Sequence, residues 1–281
     1  MTYRQFVEFF LAPCVAVALI GLLLRARWQR PNTGFPLARG CVRLAVVTAF
    51  AVVYTTPWDS WLIHNRVWWY PPGSVLGTVF GVPFEEYAFM LGLTVFTGCW
   101  TLAVAIGRPR PAVAARGLTT RRHGAAAWLA AACCGAVLTA ISPKLLYLGS
   151  MLLWFGIPLA LQAAFGADVL RSVRTLRIMG LALTPVFWIA DAVAINAGAW
   201  QVGATHTIGI RIAGLPIEEA IFFLLCDLLV ANSIVLVTHP AVDIEFRRLR
   251  TKLRPRPPGH GDNSRTGDLT CAPYRVRQTE W

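Results

Sequence analysis

The chain has 281 residues, of which 56% are hydrophobic and only 14% charged. Its mean hydropathy is positive, and such a balance excludes an ordinary soluble domain and indicates a membrane protein. A net charge of +12 would suit a nucleic-acid partner, but the basic residues lie between apolar runs and in the C-terminal tail, where a positive-inside bias places them. Nucleic acid is therefore not an expected partner. The seven cysteines (Cys14, Cys41, Cys99, Cys133, Cys134, Cys226, Cys271) are scattered, with no CxxC pair or Cys/His cluster. Neither a disulfide framework nor a zinc site is indicated.

Seven apolar windows are long enough to span a bilayer. They run over about 6–24, 44–58, 79–106, 124–141, 145–165, 178–197 and 212–237. The second is short and the third long. The first is followed by Arg25 and Arg27 with no small-residue cleavage site, which reads as a retained anchor. Of the 26 Lys and Arg, all but Arg4, Arg66, Lys144 and Arg211 fall on one side of this layout. That side is cytoplasmic by the positive-inside rule. The expected protein is multi-pass in the cell membrane, N-terminus outside and C-terminus in the cytoplasm. The basic, proline-bearing tail, 241–281, reads as a disordered cytoplasmic extension able to lie against anionic headgroups.

An internal repeat organises the rest. Pro83-Phe84-Glu85-Glu86 opens the third apolar run and Pro216-Ile217-Glu218-Glu219 opens the seventh. Upstream, Asp59 is followed by Trp68 nine residues on and Gly77 eighteen on; Asp191 is followed likewise by Trp200 and Gly209. The offset is 132 residues at the aspartates and 133 at the prolines, a slip of one. The expected fold is all-α: a polytopic membrane bundle of about seven helices, built as two parallel three-helix repeats joined by a linker helix. The boundaries are 1–106 for the first repeat, 107–144 for the linker with its connecting helix, 145–240 for the second repeat and 241–281 for the tail. Parallel repeats place their site at the interface between halves.

Proline suits the first turn of a helix, where its missing N–H has no partner to lose. Glutamates in the same turn sit in the positive field of the N-terminus. A plain helix start explains one such motif. It does not explain a second copy with matched Asp, Trp and Gly upstream. Adjacent helical residues point about 100° apart, so one glutamate of each pair can face the bundle interior. There the helix dipole favours the carboxylate, whereas burial and neighbouring carboxylates favour the acid. The sequence leaves that balance open. Phe89, Phe222 and Phe223 lie one turn beyond the glutamates, and Trp58, Trp68, Trp188 and Trp200 sit on the same stretch. Aromatic faces stabilise a desolvated cation by up to about 2 kcal/mol, although an interfacial belt accounts for most of these tryptophans equally well. A carboxylic acid, carboxylates and aromatic walls inside a membrane suit carbocation chemistry on an oily alkene, with protons added and removed and no net redox change.

The doubled Pro-x-Glu-Glu pattern, with its upstream acid and tryptophan, resembles the integral-membrane lycopene cyclases of the heterodimeric bacterial type. Here the two usually separate subunits form one fused chain, as also occurs in archaea and fungi. The resemblance implies cyclisation of lycopene ψ-ends by way of γ-carotene to the β-rings of β-carotene, with lycopene and the lipid bilayer as partners, and contact with other carotenoid enzymes. It implies Glu85, Glu86, Glu218 and Glu219 as the acids with Asp59 and Asp191 in support, and no cofactor. Two positions depart from the repeat: Arg66 stands where the second half has Gly198, and Met90 where it has Phe223. No Gly-x-Gly-x-x-Gly turn for a flavin is present.

Closure of ε-rings, or action on C50 carotenoids, would use the same residues. A prenyltransferase would need aspartate-rich metal motifs, and a retinal protein a lysine in the last span; neither is present. A proton-coupled transporter would place its acids at mid-membrane on broken helices, not at helix starts. His64 and His206 read as loop histidines.

Overall fold

In the computed structural model, which describes residues 1–28, 37–108, 117–242 and 244, seven helices are long and apolar enough to cross a membrane. They are α1 (Tyr3–Trp28), α2 (Leu37–His64), α3 (Phe84–Ala105), α4 (Leu118–Ile141), α5 (Pro143–Ser172), α6 (Arg174–Asn196) and α7 (Ile217–Thr238). The protein is an all-α polytopic membrane bundle. The expected disordered tail lies outside the described residues.

Helix α1 opens with a reciprocal cap: Thr2 Oγ1 accepts from the Gln5 N–H while Gln5 Oε1 accepts from the Thr2 N–H. Helix α2 is much longer than the window 44–58. It carries Pro57 and Asp59 in its interior and continues to His64. Hydropathy misses this end because Asp59 is polar in composition yet only 2% exposed.

Helices α4 and α5 form a close hairpin through small residues, as membrane helices do. A Cβ on Gly135 would come within 2.5 Å of the Gly149 carbonyl oxygen, and one on Gly149 within 2.6 Å of the Thr139 nitrogen. At the far end of the hairpin Arg121 Nε meets Asp168 Oδ1 at 2.7 Å. Gly149→Leu is expected to force the two helices apart at a cost of about 1–3 kcal/mol. Thermal unfolding in detergent would register this as a lowered midpoint; an unchanged midpoint would contradict the packing.

Three two-stranded pairs cap one end of the bundle. Strand β2 (Thr78–Val79) pairs with β3 (Val82–Pro83), and β5 (Arg211–Ile212) with β6 (Leu215–Pro216). Ahead of the hairpin in each half, β1 (Trp68–Trp69) and β4 (Gln201–Val202) pair antiparallel with one another. Trp69 opposes Gln201 there, and these two residues are counterparts under the 132-residue offset. The strand pair is therefore self-matching, like the contact across a two-fold axis.

Each hairpin turns on two residues of positive φ, Phe80 (51°) with Gly81 (78°) and Ala213 (51°) with Gly214 (86°). Two left-handed residues in a row make the tight turn whose twist suits a hairpin. This corrects two expected boundaries: the windows opening at 79 and 212 begin in hairpins, and their helices start at Phe84 and Ile217. It also corrects the place of the prolines. Pro83 and Pro216 are extended residues (ψ 151° and 140°) just ahead of their helices, not in the first turn. The Arg66/Gly198 departure resolves in the same terms. Both sit at positive φ, 54° and 74°, so both halves use the same turn, at more steric cost for arginine.

Candidate active site

Because each helix begins one residue after its proline, the first glutamate of each pair lands at the second helical position and the other at the third. They then diverge, as the 100° helical step requires. Glu85 Oε1 accepts from the Leu76 N–H at 2.9 Å, and Glu218 Oε1 accepts from the Ile208 N–H at 2.7 Å. The second oxygen of each is buried without a partner. These two carboxyls tie the preceding loops to the helix starts. Next in each loop, Phe84 N–H donates to the Gly77 carbonyl and Ile217 N–H to the Ile210 carbonyl, both at 3.0 Å. Leu76 thus matches Ile208, and Gly77 matches Ile210. The one-residue slip is Gly209 itself, at φ 85°, so the expected Gly77–Gly209 correspondence does not hold. Glu85→Gln keeps an acceptor for the Leu76 N–H and is expected to retain activity within about tenfold, whereas Glu85→Ala strands that donor and loses more. Pigment conversion by equal amounts of the two variants checks this.

Glu86 and Glu219 point the other way, into one small chamber of about 40 Å³. Asp59 of α2 and Asp191 of α6 line the same chamber, so it holds four carboxyls, two from each half of the chain, and no basic side chain. Its other walls are Tyr3, Trp68, Tyr70, Phe89, Tyr147, Trp200, Phe222 and Phe223. Glu86 Oε2 accepts from Tyr3 Oη at 2.9 Å and from Tyr70 Oη at 2.6 Å. The Tyr147 hydroxyl is directed at Glu219 and the Trp200 indole at Asp191, whose Oδ2 is buried without a hydrogen-bond partner. On the other side Trp68 Nε1 donates to Tyr70 Oη at 3.1 Å, and among the described residues no side chain donates to Asp59. Burial, then the adjacent Glu86 carboxyl, pushes the Tyr70 phenol well above its usual range. It therefore stays a neutral donor.

Helices α1 and α5 deliver their tyrosines alike. The Tyr3 N–H donates to Ser74 O and the Tyr147 N–H to His206 O, at 3.2 and 3.3 Å, and Ser74 and His206 are counterparts under the offset. The apolar windows 6–24 and 145–165 do not distinguish these tyrosines from their neighbours. The available signal was a tyrosine at the start of the first helix of each half.

Of the aromatics expected at the site, Trp68, Phe89, Trp200, Phe222 and Phe223 line the chamber. Trp58 and Trp188 do not. Trp58 packs behind the wall, edge-on to Trp68 and stacked on Phe222 at 5.9 Å. The Trp188 indole donates to the Ala220 carbonyl at 3.0 Å, bracing the first turn of α7. His64 is exposed and His206 is a loop residue beside Thr205.

A second cavity of about 230 Å³ adjoins the chamber, sharing Asp59, Glu86, Phe89 and Phe222 with it. It runs between α2, α3, α5 and α7 and is apolar along Val47, Ala51, Met90, Leu93 and Pro158. Phe50 (58% exposed) and Leu161 (65%) stand at its outer end, on the lipid-facing surface. Tyr54 bridges its wall, donating to the Trp154 carbonyl at 2.8 Å.

A membrane bundle with a buried carboxyl chamber adjoined by a side cavity is thus defined, and known proteins share its sequence. The chain matches the lycopene cyclase family over residues 6–102 and 144–237. It is 36% identical over 235 residues to the lycopene beta-cyclases of two Halobacterium salinarum strains, covering 81% of this chain and 93% of each relative. A bifunctional lycopene cyclase/phytoene synthase of Aspergillus oryzae is 27% identical over 230 residues, 79% of this chain but 38% of that protein. No solved structure matches. The chain belongs to the lycopene cyclase family.

Proposed function

We propose that this protein closes the ψ-ends of lycopene to β-rings, by way of γ-carotene to β-carotene, with the four-carboxyl chamber as its catalytic centre. One observation carries the reading: acids from both halves converge on a chamber that adjoins an apolar cavity open toward lipid. Four buried carboxyls cannot all ionise in so small a space, so the chamber holds protons as well as negative charge. A ψ-end enters along the apolar cavity and meets Asp59 and Glu86 first. Proton addition to its terminal double bond creates a tertiary cation. The next double bond in reach attacks that cation, a carbon–carbon bond closes the ring, and loss of a neighbouring proton restores the alkene. One proton enters and one leaves, with no redox change and no cofactor required.

Asp59, to which no side chain among the described residues donates, serves as the acid. Glu86, held by two phenols, serves as a carboxylate that steadies the cation, and Glu219 and Asp191 receive the departing proton. Phe89, Phe222, Trp68 and Trp200 face the cation. Glu85 and Glu218 are positioning residues.

The chain is read as two repeats, 1–106 and 145–240, joined by a linker around α4, in a cell membrane with the N-terminus outside and the C-terminus cytoplasmic. Reporter fusions at residues 75 and 115 are expected to lie on opposite sides; the same side for both would refute the layout. Expression in a lycopene-accumulating bacterium, followed by pigment analysis, tests the activity. β-Carotene is the expected product, and unchanged lycopene beside well-expressed protein would overturn the reading.

A further inference from the structure

We infer that the two halves are unequal in access: substrate reaches the chamber by one side only, and Phe187 closes the equivalent side of the other half. The inference rests on the reading of the chamber as a cyclase site.

In α2, Ala51, Thr55 and Asp59 follow one another at four-residue spacing, on one face of the helix, and all three line the apolar cavity that leads to the chamber. Their counterparts in α6, under the 132-residue offset, are Leu183, Phe187 and Asp191. Leu183 lines a separate cavity of about 480 Å³ between α1, α3 and α6, and Asp191 lines the chamber. Phe187 lies between them, lines neither, and is 1% exposed. Its ring stacks on Phe223 at 5.5 Å with an interplanar angle of 3°, and meets Phe96 edge-on at 5.3 Å.

The same positions in the open half hold Thr55, Met90 and Leu229, and all three line the open cavity. Three aromatic rings fill one side where a hydroxyl residue, a flexible thioether and an aliphatic chain leave space on the other. The 480 Å³ cavity shares no residue with the chamber. Phe223 follows the second Pro-x-Glu-Glu at the position where the first half has Met90, so that departure is a feature of access. A polyene with one end in the chamber leaves its other end in the bilayer. The second ring then requires release and re-insertion of the opposite end, and the singly cyclised product passes through the membrane.

The test compares purified wild type, Thr55→Phe, Ala51→Phe and Leu183→Phe at equal amounts in lycopene-loaded nanodiscs. Both cavity-filling variants at 51 and 55 are expected to lower initial conversion by about tenfold or more through misplacing the chain end. Leu183→Phe, on the closed side, is expected to stay within about twofold of wild type. Size-exclusion profiles and thermal midpoints verify folding, and either of the two filling variants suffices if the other misfolds. Two working routes would leave each variant with at least about half the wild-type rate, because parallel routes add; that result, or a loss confined to Leu183→Phe, overturns the inference. An inactive wild type would instead remove the cyclase reading beneath it.

Discussion

Glu86→Gln and Glu219→Gln are each expected to slow ring closure by about 100-fold or more, the usual scale for losing a proton-transfer group in a concerted site. The amide matches the carboxyl in shape and can still accept the phenolic hydrogen bonds of Tyr3 and Tyr70 at Glu86, so packing is preserved. What disappears is the negative charge and the capacity to exchange a proton. Both residues line one chamber. If instead each half worked alone, either variant would keep the other half's share, near half the rate. Initial rates of lycopene loss for the two variants distinguish these cases without further assumption.

Asp59→Asn is expected to cost about 100-fold, and Asp191→Asn only about tenfold. The two aspartates are counterparts in the repeat, but their surroundings differ. Asp191 is engaged by the Trp200 indole, whereas the matching indole of Trp68 is turned to Tyr70. Val202 occupies the place in the second half that Tyr70 takes in the first, so nothing diverts Trp200. Asp59 alone of the pair lines both the chamber and the apolar cavity, which sets it where the chain end arrives. Equal losses in the two variants, measured as initial rates, would contradict that difference in role.

Seven spans and the doubled glutamates were readable because both are local signals: apolar run length, and a motif that repeats at nearly constant offset. The function of each glutamate within its pair was not. Glu85 and Glu86 are adjacent in sequence, and only the register of the helix start, fixed by the Phe80-Gly81 turn, decides which faces inward. The same turn shifted two helix starts by five residues from their apolar windows, because hydropathy does not distinguish a short strand pair from the helix it precedes. Trp58 and Trp188 were drawn to the site by proximity in sequence, yet they serve as a second layer and a brace. Tyr3, Tyr70 and Tyr147 are hard to read from sequence because they reach the carboxyls from other elements, and only the place of Tyr3 and Tyr147 near the start of each half's first helix marks them. Phe187 illustrates the general difficulty. A phenylalanine in an apolar helix carries no signal until its counterpart, Thr55, is seen lining an open path.

The most direct measurement uses purified protein in lycopene-loaded nanodiscs with no nucleotide or flavin added, following the visible absorption of the polyene and the pigments extracted over time. The account predicts that the protein's own carboxyls suffice, so lycopene is converted to γ-carotene and then β-carotene, and Glu86→Gln stops the conversion. Conversion that began only on adding a reduced flavin, or that proceeded undiminished in Glu86→Gln, would contradict it.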